Sequence, residues 1–487
     1  MKLIKFLVLA IAGVTVISCS DEFLNPLPDS AVAVEAFFQT DEDVLAGVIG
    51  IYDALQGVNE NTETNIGRAN RGVQFEHLLT EHRSDNTRNS TLEGSKSDFD
   101  RYTIDPNNVQ SEDYYQSMYQ VIFRANNILN FINVADEDNR EKYAAEARFL
   151  RAYAYFNLVR LFGDVPFVTS VIEPTDDQTP LFTRIPQAVI YEQIIEDLDY
   201  AVTNLDNTYK SRASRAAAQG VLAKVYMTKE NPDYLEAQLL CEAIMEADYQ
   251  LEDSFYDVFY SELNSEIIFA IQYQAGNSLE SQSFSSEFTS AFRQGRDDGQ
   301  NIVNANLKQD FEAFGGNRTA VSITNLNGIL ASDENEVAKF LPEGSDITTS
   351  PPSYGATPRD AGNDYIALRY ADVLLLHAEA ILAGSSQTTS SSAIDSYMEV
   401  RVRAGFDPIA DRPTELTKEA LLLERRVELA FENQRWYDLI RFNVANSVLS
   451  AHASDLGNVF SARDLLLPIP SREINLSGGL LTQNPGY

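Results

Sequence analysis

Apolar residues spaced three and four apart recur along this chain and commit it to a mostly helical fold. From Ser111 they fall at Tyr114, Met118, Val121, Ala125, Ile128 and Ile132, which places all six on one face of a helix. The next segment repeats the pattern with Tyr143, Ala147, Leu150, Ala154, Leu158 and Leu161. Gly163 then suits a left-handed cap, and Pro166 prevents continuation. A third helix begins near Pro186 and turns Ile190, Ile194, Leu198 and Leu205 inward. A fourth follows Ser214 and is rich in small residues, Ala216 to Ala218, Gly220 and Ala223. Asn231-Pro232 turns the chain into a fifth, from Asp233 to Asp248. Further on, Leu368, Ala371, Leu375, Ala378 and Leu382 mark one helix, and Ile394, Tyr397, Val400 and Ala404 mark its neighbour. A last long helical run is expected from Thr417 to Phe442.

Paired antiparallel helices with small residues where they cross resemble tetratricopeptide repeats, although the strict repeat signature is absent. An irregular helical bundle satisfies the same periodicity. Two long polar stretches interrupt the helices, residues 58–109 and 276–364, with a strand-like run at Ile267 to Tyr273. Structureless loops of that length are uncommon in compact domains unless they serve function. Both are read as excursions from a helical scaffold that together form one ligand-facing surface.

The N-terminus carries an export signal. Lys2 and Lys5 give a positive start, and Phe6 to Ile17 give an apolar run too short to cross a bilayer as a permanent helix. It ends in Val16-Ile17-Ser18-Cys19, which resembles the bacterial lipobox. Residues 1–18 are expected to be removed and Cys19 to take up lipid, with several acyl chains making a stable anchor. Residues 19–30 then form a tether, and the acidic Asp21 and Glu22 close to the lipid resemble a surface-export signal.

Removing the leader leaves 469 residues, ample for one large domain or two lobes, and takes the formal charge from −35 to −37 because two lysines go with it. Such a chain repels nucleic acid and anionic membranes, so nucleic-acid binding is excluded. With Cys19 lipidated, Cys241 stands alone and reads as a packed thiol between Ala237 and Ile244.

Catalytic constellations are absent from the sequence. His77 and His82 are five apart and miss the spacing of a helix-borne zinc pair, and His377 lies in an apolar helix as a structural histidine. No nucleophile elbow, phosphate loop or dinucleotide fingerprint occurs. Asp136-Glu137-Asp138 and Asp297-Asp298-Gly299 do not complete a calcium loop. No cofactor, metal or catalytic residue is expected. Binding chemistry fits better, because sugars are held by aromatic platforms and by bidentate hydrogen bonds from Arg, Asn and Asp. Such residues crowd the excursions. The first holds Arg68, Asn70, Arg71, Arg83, Asp85 and Asn86; the second holds Phe284, Phe288, Phe292, Arg293, Arg296, Asp297 and Tyr354. Trp436, the one tryptophan, sits in a dense apolar helix and reads as packed.

Several segments together resemble the SusD/RagB family of outer-membrane nutrient-binding lipoproteins. They are Glu146-Ala147-Arg148-Phe149-Leu150-Arg151-Ala152-Tyr153 running on to Phe162-Gly163-Asp164-Val165-Pro166, and Ser265-Glu266-Ile267-Ile268-Phe269. Glu424-Arg425-Arg426, Arg435-Trp436-Tyr437-Asp438-Leu439, Leu467-Pro468-Ile469-Pro470 and the ending Gln483-Asn484-Pro485-Gly486-Tyr487 complete the set. The resemblance implies a mostly α fold of four tetratricopeptide-like helix pairs, with an N-terminal region over 31–250 packed against a C-terminal region over 251–487. It implies a non-catalytic surface protein that captures an oligosaccharide and closes as a lid over a SusC-like TonB-dependent transporter. Peptide capture, or a helix-repeat interaction module with no small ligand, are the alternatives. The family's ligand loop corresponds to Arg83-Ser84-Asp85-Asn86-Thr87, so Arg83, Asp85 and Asn86 are the favoured contacts, with Arg71, Arg296 and Tyr354 beside them. The excursions hold no tryptophan, which argues against a flat, extensively stacked glucan.

Overall fold

The computed structural model describes residues 34–57, 71–89, 94–277, 279–287, 301–325, 334–342, 344–346, 353–354 and 360–487. Its principal helices are α1 (Asp41–Gln56), α2 (Gly72–Thr80), α3 (Val109–Phe131), α4 (Glu137–Phe162), α5 (Gln187–Asn204), α6 (Arg215–Thr228) and α7 (Tyr234–Met245). The second half supplies α8 (Ala305–Phe314), α9 (Tyr370–Leu382), α10 (Ser391–Arg403), α11 (Lys418–Glu428) and α12 (Arg435–Arg441). Helices α3 to α7 form where the apolar spacing predicts them. Helix α1, which that reading passed over, is started by a reciprocal cap between Thr40 and Asp43. Gly163 ends α4 at a φ of +72°, with its N–H donating to Val159.

These helices stack in order: α1 on α3, α3 on α4, α4 on α5, α5 on α6 and α6 on α7. Helix α7 then packs on α9 and α9 on α10, so the stack continues although more than a hundred residues separate Met245 from Tyr370. The result is a scaffold of tetratricopeptide-like helix pairs. One contiguous apolar core runs through it from Phe38 to Leu481, with Cys241 and Trp436 fully buried. His377 is buried against Ser396 at 2.8 Å.

The second excursion leaves and re-enters through a two-stranded antiparallel ribbon, β1 (Ile267–Ile271) with β2 (Tyr365–Arg369), whose register shifts at Leu368. Leu368 therefore belongs to a strand, and the helix expected from that residue begins at Tyr370. A four-stranded sheet joins the two excursions. Thr87–Arg88 pairs with Ile302–Val303, which pairs with Glu336–Val337, and Ile323–Thr324 closes the order.

The run expected to be one helix from Thr417 to Phe442 is broken after Glu428, with Phe431 and Asn433 at φ of +69° and +59°. The carbonyls released by the break are captured by buried donors. Lys339 Nζ reaches the carbonyls of Glu428 and Ala430, each at 3.0 Å. Arg369 Nη2 donates to Glu428 O at 2.9 Å and Tyr365 Oη to Glu432 O at 3.1 Å. A helix continuing here would have to give up these bonds, all made by residues distant in sequence.

The same segment organises a charged interior. Arg369 pairs with Glu266, Glu428 and Glu432 at 2.6–2.7 Å. Arg318 joins Glu424 to Glu428 at 2.6 and 2.8 Å, and Arg403 binds Glu266 at 2.9 Å as well as Glu428. On the other side of α11, Arg425 holds Asp372 and Asp438, each at 2.9 Å. Burial pushes the Glu428 carboxyl up, but Arg403, Arg369 and Arg318 reverse this and hold it well below the usual range. Buried charges persist only when paired in this way, which accounts for the charge-rich sequence of a helix in the interior.

Candidate ligand-binding site

The residues that the sequence nominates most strongly are not on the surface. Arg83, Asp85 and Asn86 are 0%, 3% and 0% exposed. The Arg83 guanidinium lies 4.0 Å from the centre of the Trp436 ring and donates to the carbonyls of Leu79 and Asp464. Asp85 accepts from Arg435 Nε and Nη2 at 2.8 and 2.9 Å and pairs with Arg426 at 3.0 Å. Asn86 donates to Glu81 at 2.8 Å and accepts from Arg426 at 3.0 Å. Burial raises the Asp85 carboxyl, but Arg426 and Arg435 outweigh it and hold the group well below the usual carboxylate range. These three side chains rivet the first excursion to the C-terminal segment and, being buried there, present no exposed surface. Their C-terminal partners, Asp464, Arg435 and Arg426, lie more than 300 residues away, so nothing local in the sequence reveals these contacts.

Phe284 is also internal, edge-to-face with Tyr273 at 5.7 Å, and does not serve as a platform. Arg71 is partly buried and immediately precedes α2. Tyr354 lies in a two-residue strand whose partner is Ser345, and its side chain is outside the described residues. Cys19, Arg68, Asn70, Phe288, Phe292, Arg293, Arg296 and Asp297 also lie outside them.

An open cavity of about 510 Å³ lies where both excursions depart from the scaffold. That volume is within the ordinary range of small-ligand sites. Helix α1 contributes Tyr52, Asp53 and Gln56 in its last turns, just before the first excursion. The edge of β1 and the residues after it contribute Gln272, Tyr273 and Gln274, just before the second. Ser211, Arg212, Glu262 and Glu280 complete the polar wall, over apolar surface from Ile49, Leu55 and Ile271.

The wall is pre-organised. Gln56 Nε2 donates to Gln272 O at 2.8 Å and to Glu280 Oε2 at 3.2 Å, which ties the two departure points together. The Gln56 side chain is therefore oriented, and its Oε1 is buried without a partner among the described residues. Gln272 Nε2 donates to Ser211 O. Arg212 grips buried Glu146 through Nε and Nη2, both at 2.7 Å, and Tyr52 Oη donates to the same carboxylate at 2.8 Å. Burial lifts the Glu146 carboxyl above its ordinary value, with Arg212 and Tyr52 opposing the rise. A cleft with amides, carboxylates and two tyrosines over an apolar floor has the composition of a sugar site, and no group of metal-ligating side chains lies among the described residues. Sequence reading missed Gln56, Gln272 and Glu280. The one available signal was that Gln56 ends an amphipathic helix directly before a long polar excursion.

Comparison with known proteins agrees with this architecture. Residues 22–227 match a family described as "Starch-binding associating with outer membrane", and residues 337–487 match the SusD family. SusD-like protein P2 of Formosa agariphila is 29% identical over 99% of both chains. A SusD-like protein of Bacteroides ovatus is 25% identical over 90% of this chain and 82% of its own. Among solved structures, a laminarin-binding SusD-like protein is 24% identical, with a TM-score of 0.71 over 92% of this chain and all of the other. Surface glycan-binding protein A of Bacteroides thetaiotaomicron, in complex with laminarihexaose, is 20% identical, with a TM-score of 0.75 over 91% of this chain and 99% of its own. These two establish the shared fold. With both halves matched in order and relatives aligned end to end, the chain belongs to the SusD/RagB family.

Proposed function

We propose that this protein is a non-catalytic nutrient-binding lipoprotein of the cell surface, held in the outer membrane through Cys19, that captures an oligosaccharide. In this reading it acts as a lid on a SusC-like TonB-dependent transporter, with residues 19–30 as the leash. The observation that carries glycan capture is the polar cavity of about 510 Å³ at the meeting point of the two excursions. Membership of a family with outer-membrane and starch-binding associations, and neighbours named for glycan binding, support the same reading.

Titration calorimetry of the protein against a panel of oligosaccharides and a protein digest, followed by product analysis, tests this function. Binding to at least one glycan without cleavage is expected. Cleavage would overturn the non-catalytic assignment, and binding to peptides alone would replace glycan capture with peptide capture. Co-purification of a TonB-dependent barrel on the tagged, full-length lipoprotein tests the lid.

A further inference from the structure

We infer that the cavity selects uncharged, hydroxyl-rich sugar units and rejects uronate and sulfate groups. This rests on the glycan-binding reading of the same site. The inference comes from counting donors and acceptors around the wall. Carboxylates only accept hydrogen bonds, and Asp53, Glu262 and Glu280 all line the cavity. Gln56 has committed its amide nitrogen to Gln272 O and Glu280, and its oxygen is buried, so this side chain adds no free donor to the cleft.

Cations to balance these groups are already engaged. Arg212, the one cation among the described lining residues, spends Nε and Nη2 on Glu146. Asp53 is paired with Arg124 at 2.6 Å, outside the cavity lining, whereas Glu262 and Glu280 have no ion pair among the described residues. The described wall therefore carries an excess of negative charge, beside the neutral Gln274 amide and Ser211 hydroxyl. A sugar hydroxyl can donate to the carboxylates and accept from these neutral groups. A carboxylate or sulfate brings a further negative charge into the same cleft, where Arg212, the one guanidinium among the described lining residues, is already held by Glu146. The formal charge of −35 reinforces this at long range and is screened by salt beyond about 8 Å at physiological ionic strength.

The test uses laminarihexaose, cellohexaose and mannohexaose, each paired with its C6-oxidised uronate form so that only the charge changes. Calorimetry on the mature protein is expected to show at least one neutral hexasaccharide binding, with its uronate partner weaker by about tenfold or more. The gap is expected to narrow at high salt and in Glu262→Gln/Glu280→Gln, whose melting temperature and circular dichroism check that it remains folded. Equal or tighter binding of the uronate form overturns the inference and leaves glycan capture standing. An unchanged ratio in the double variant also overturns it, because the two carboxylates would not be the cause. If no hexasaccharide binds and the protein digest does, the glycan reading fails and the selectivity falls with it.

Discussion

Replacing Asp85 with Ala separates a rivet from a ligand contact. In the folded protein Asp85 takes two hydrogen bonds from Arg435 and an ion pair from Arg426, all at 2.8–3.0 Å, with all three residues buried. Arg426 keeps Asp310 and Asn86 when Asp85 is lost, but the Arg435 guanidinium, 7% exposed, loses its bidentate partner. Breaking a buried pair from one side costs about 3–5 kcal/mol, and the retained partners of Arg426 place this case near 3. At about 2.1 cal/mol/K of unfolding entropy per residue, a chain of this size loses roughly 1 °C per kcal/mol, so a fall of about 3 °C is expected by calorimetry. The sign with pH follows from the depressed carboxyl. Its stabilisation is present above the unfolded value near 3.8 and lost as pH falls through the lower folded value, so wild type and variant converge in acid. Well below the melting temperature, glycan affinity should change by less than about threefold, under 1 kcal/mol. An unchanged melting temperature with lost glycan binding would refute the rivet and make Asp85 a ligand contact.

Three further outcomes are expected. Burial raises the Glu76 carboxyl from 4.5 to about 7, so its contribution is fully present below 4.5 and lost as pH rises through 7. Glu76→Gln should flatten that part of the stability profile and gain up to about 3 kcal/mol above pH 7, measured by urea unfolding across pH. Gly316 sits at a φ of +58°, and an added Cβ would lie 2.1 Å from the Ala404 carbonyl oxygen at the end of α10. Gly316→Ala should therefore cost about 2–3 kcal/mol in the same assay, and a neutral result would show that this turn yields. Cys19→Ser should abolish incorporation of labelled fatty acid and release the protein from the membrane fraction; retention there would refute lipid anchoring.

Much of the scaffold was legible because burial on one face leaves a period in the sequence. Tyr114 to Ile132 and Tyr143 to Leu161 show it, and α3 and α4 form there. The same logic fails where a segment is charged and yet internal. Glu424, Arg425, Arg426 and Glu428 give no apolar period, although all four are buried, because each is neutralised by a residue from another element. The break after Glu428 was illegible for a related reason, since the donors that capture its carbonyls come from Lys339, Tyr365 and Arg369.

Sequence by itself determined the helical class, the apolar faces, the packed Trp436 and Cys241, and the family, all of which depend on local periodicity or on the identity and order of short segments. Tertiary structure alone decided which polar residues meet. It buried Arg83, Asp85 and Asn86 against partners hundreds of residues away, and it joined Gln56 to Gln272 and Glu280 across another two hundred to form the cavity wall. Hydrogen bonds and ion pairs between distant segments leave no period along a chain, because their geometry exists only once the scaffold has folded.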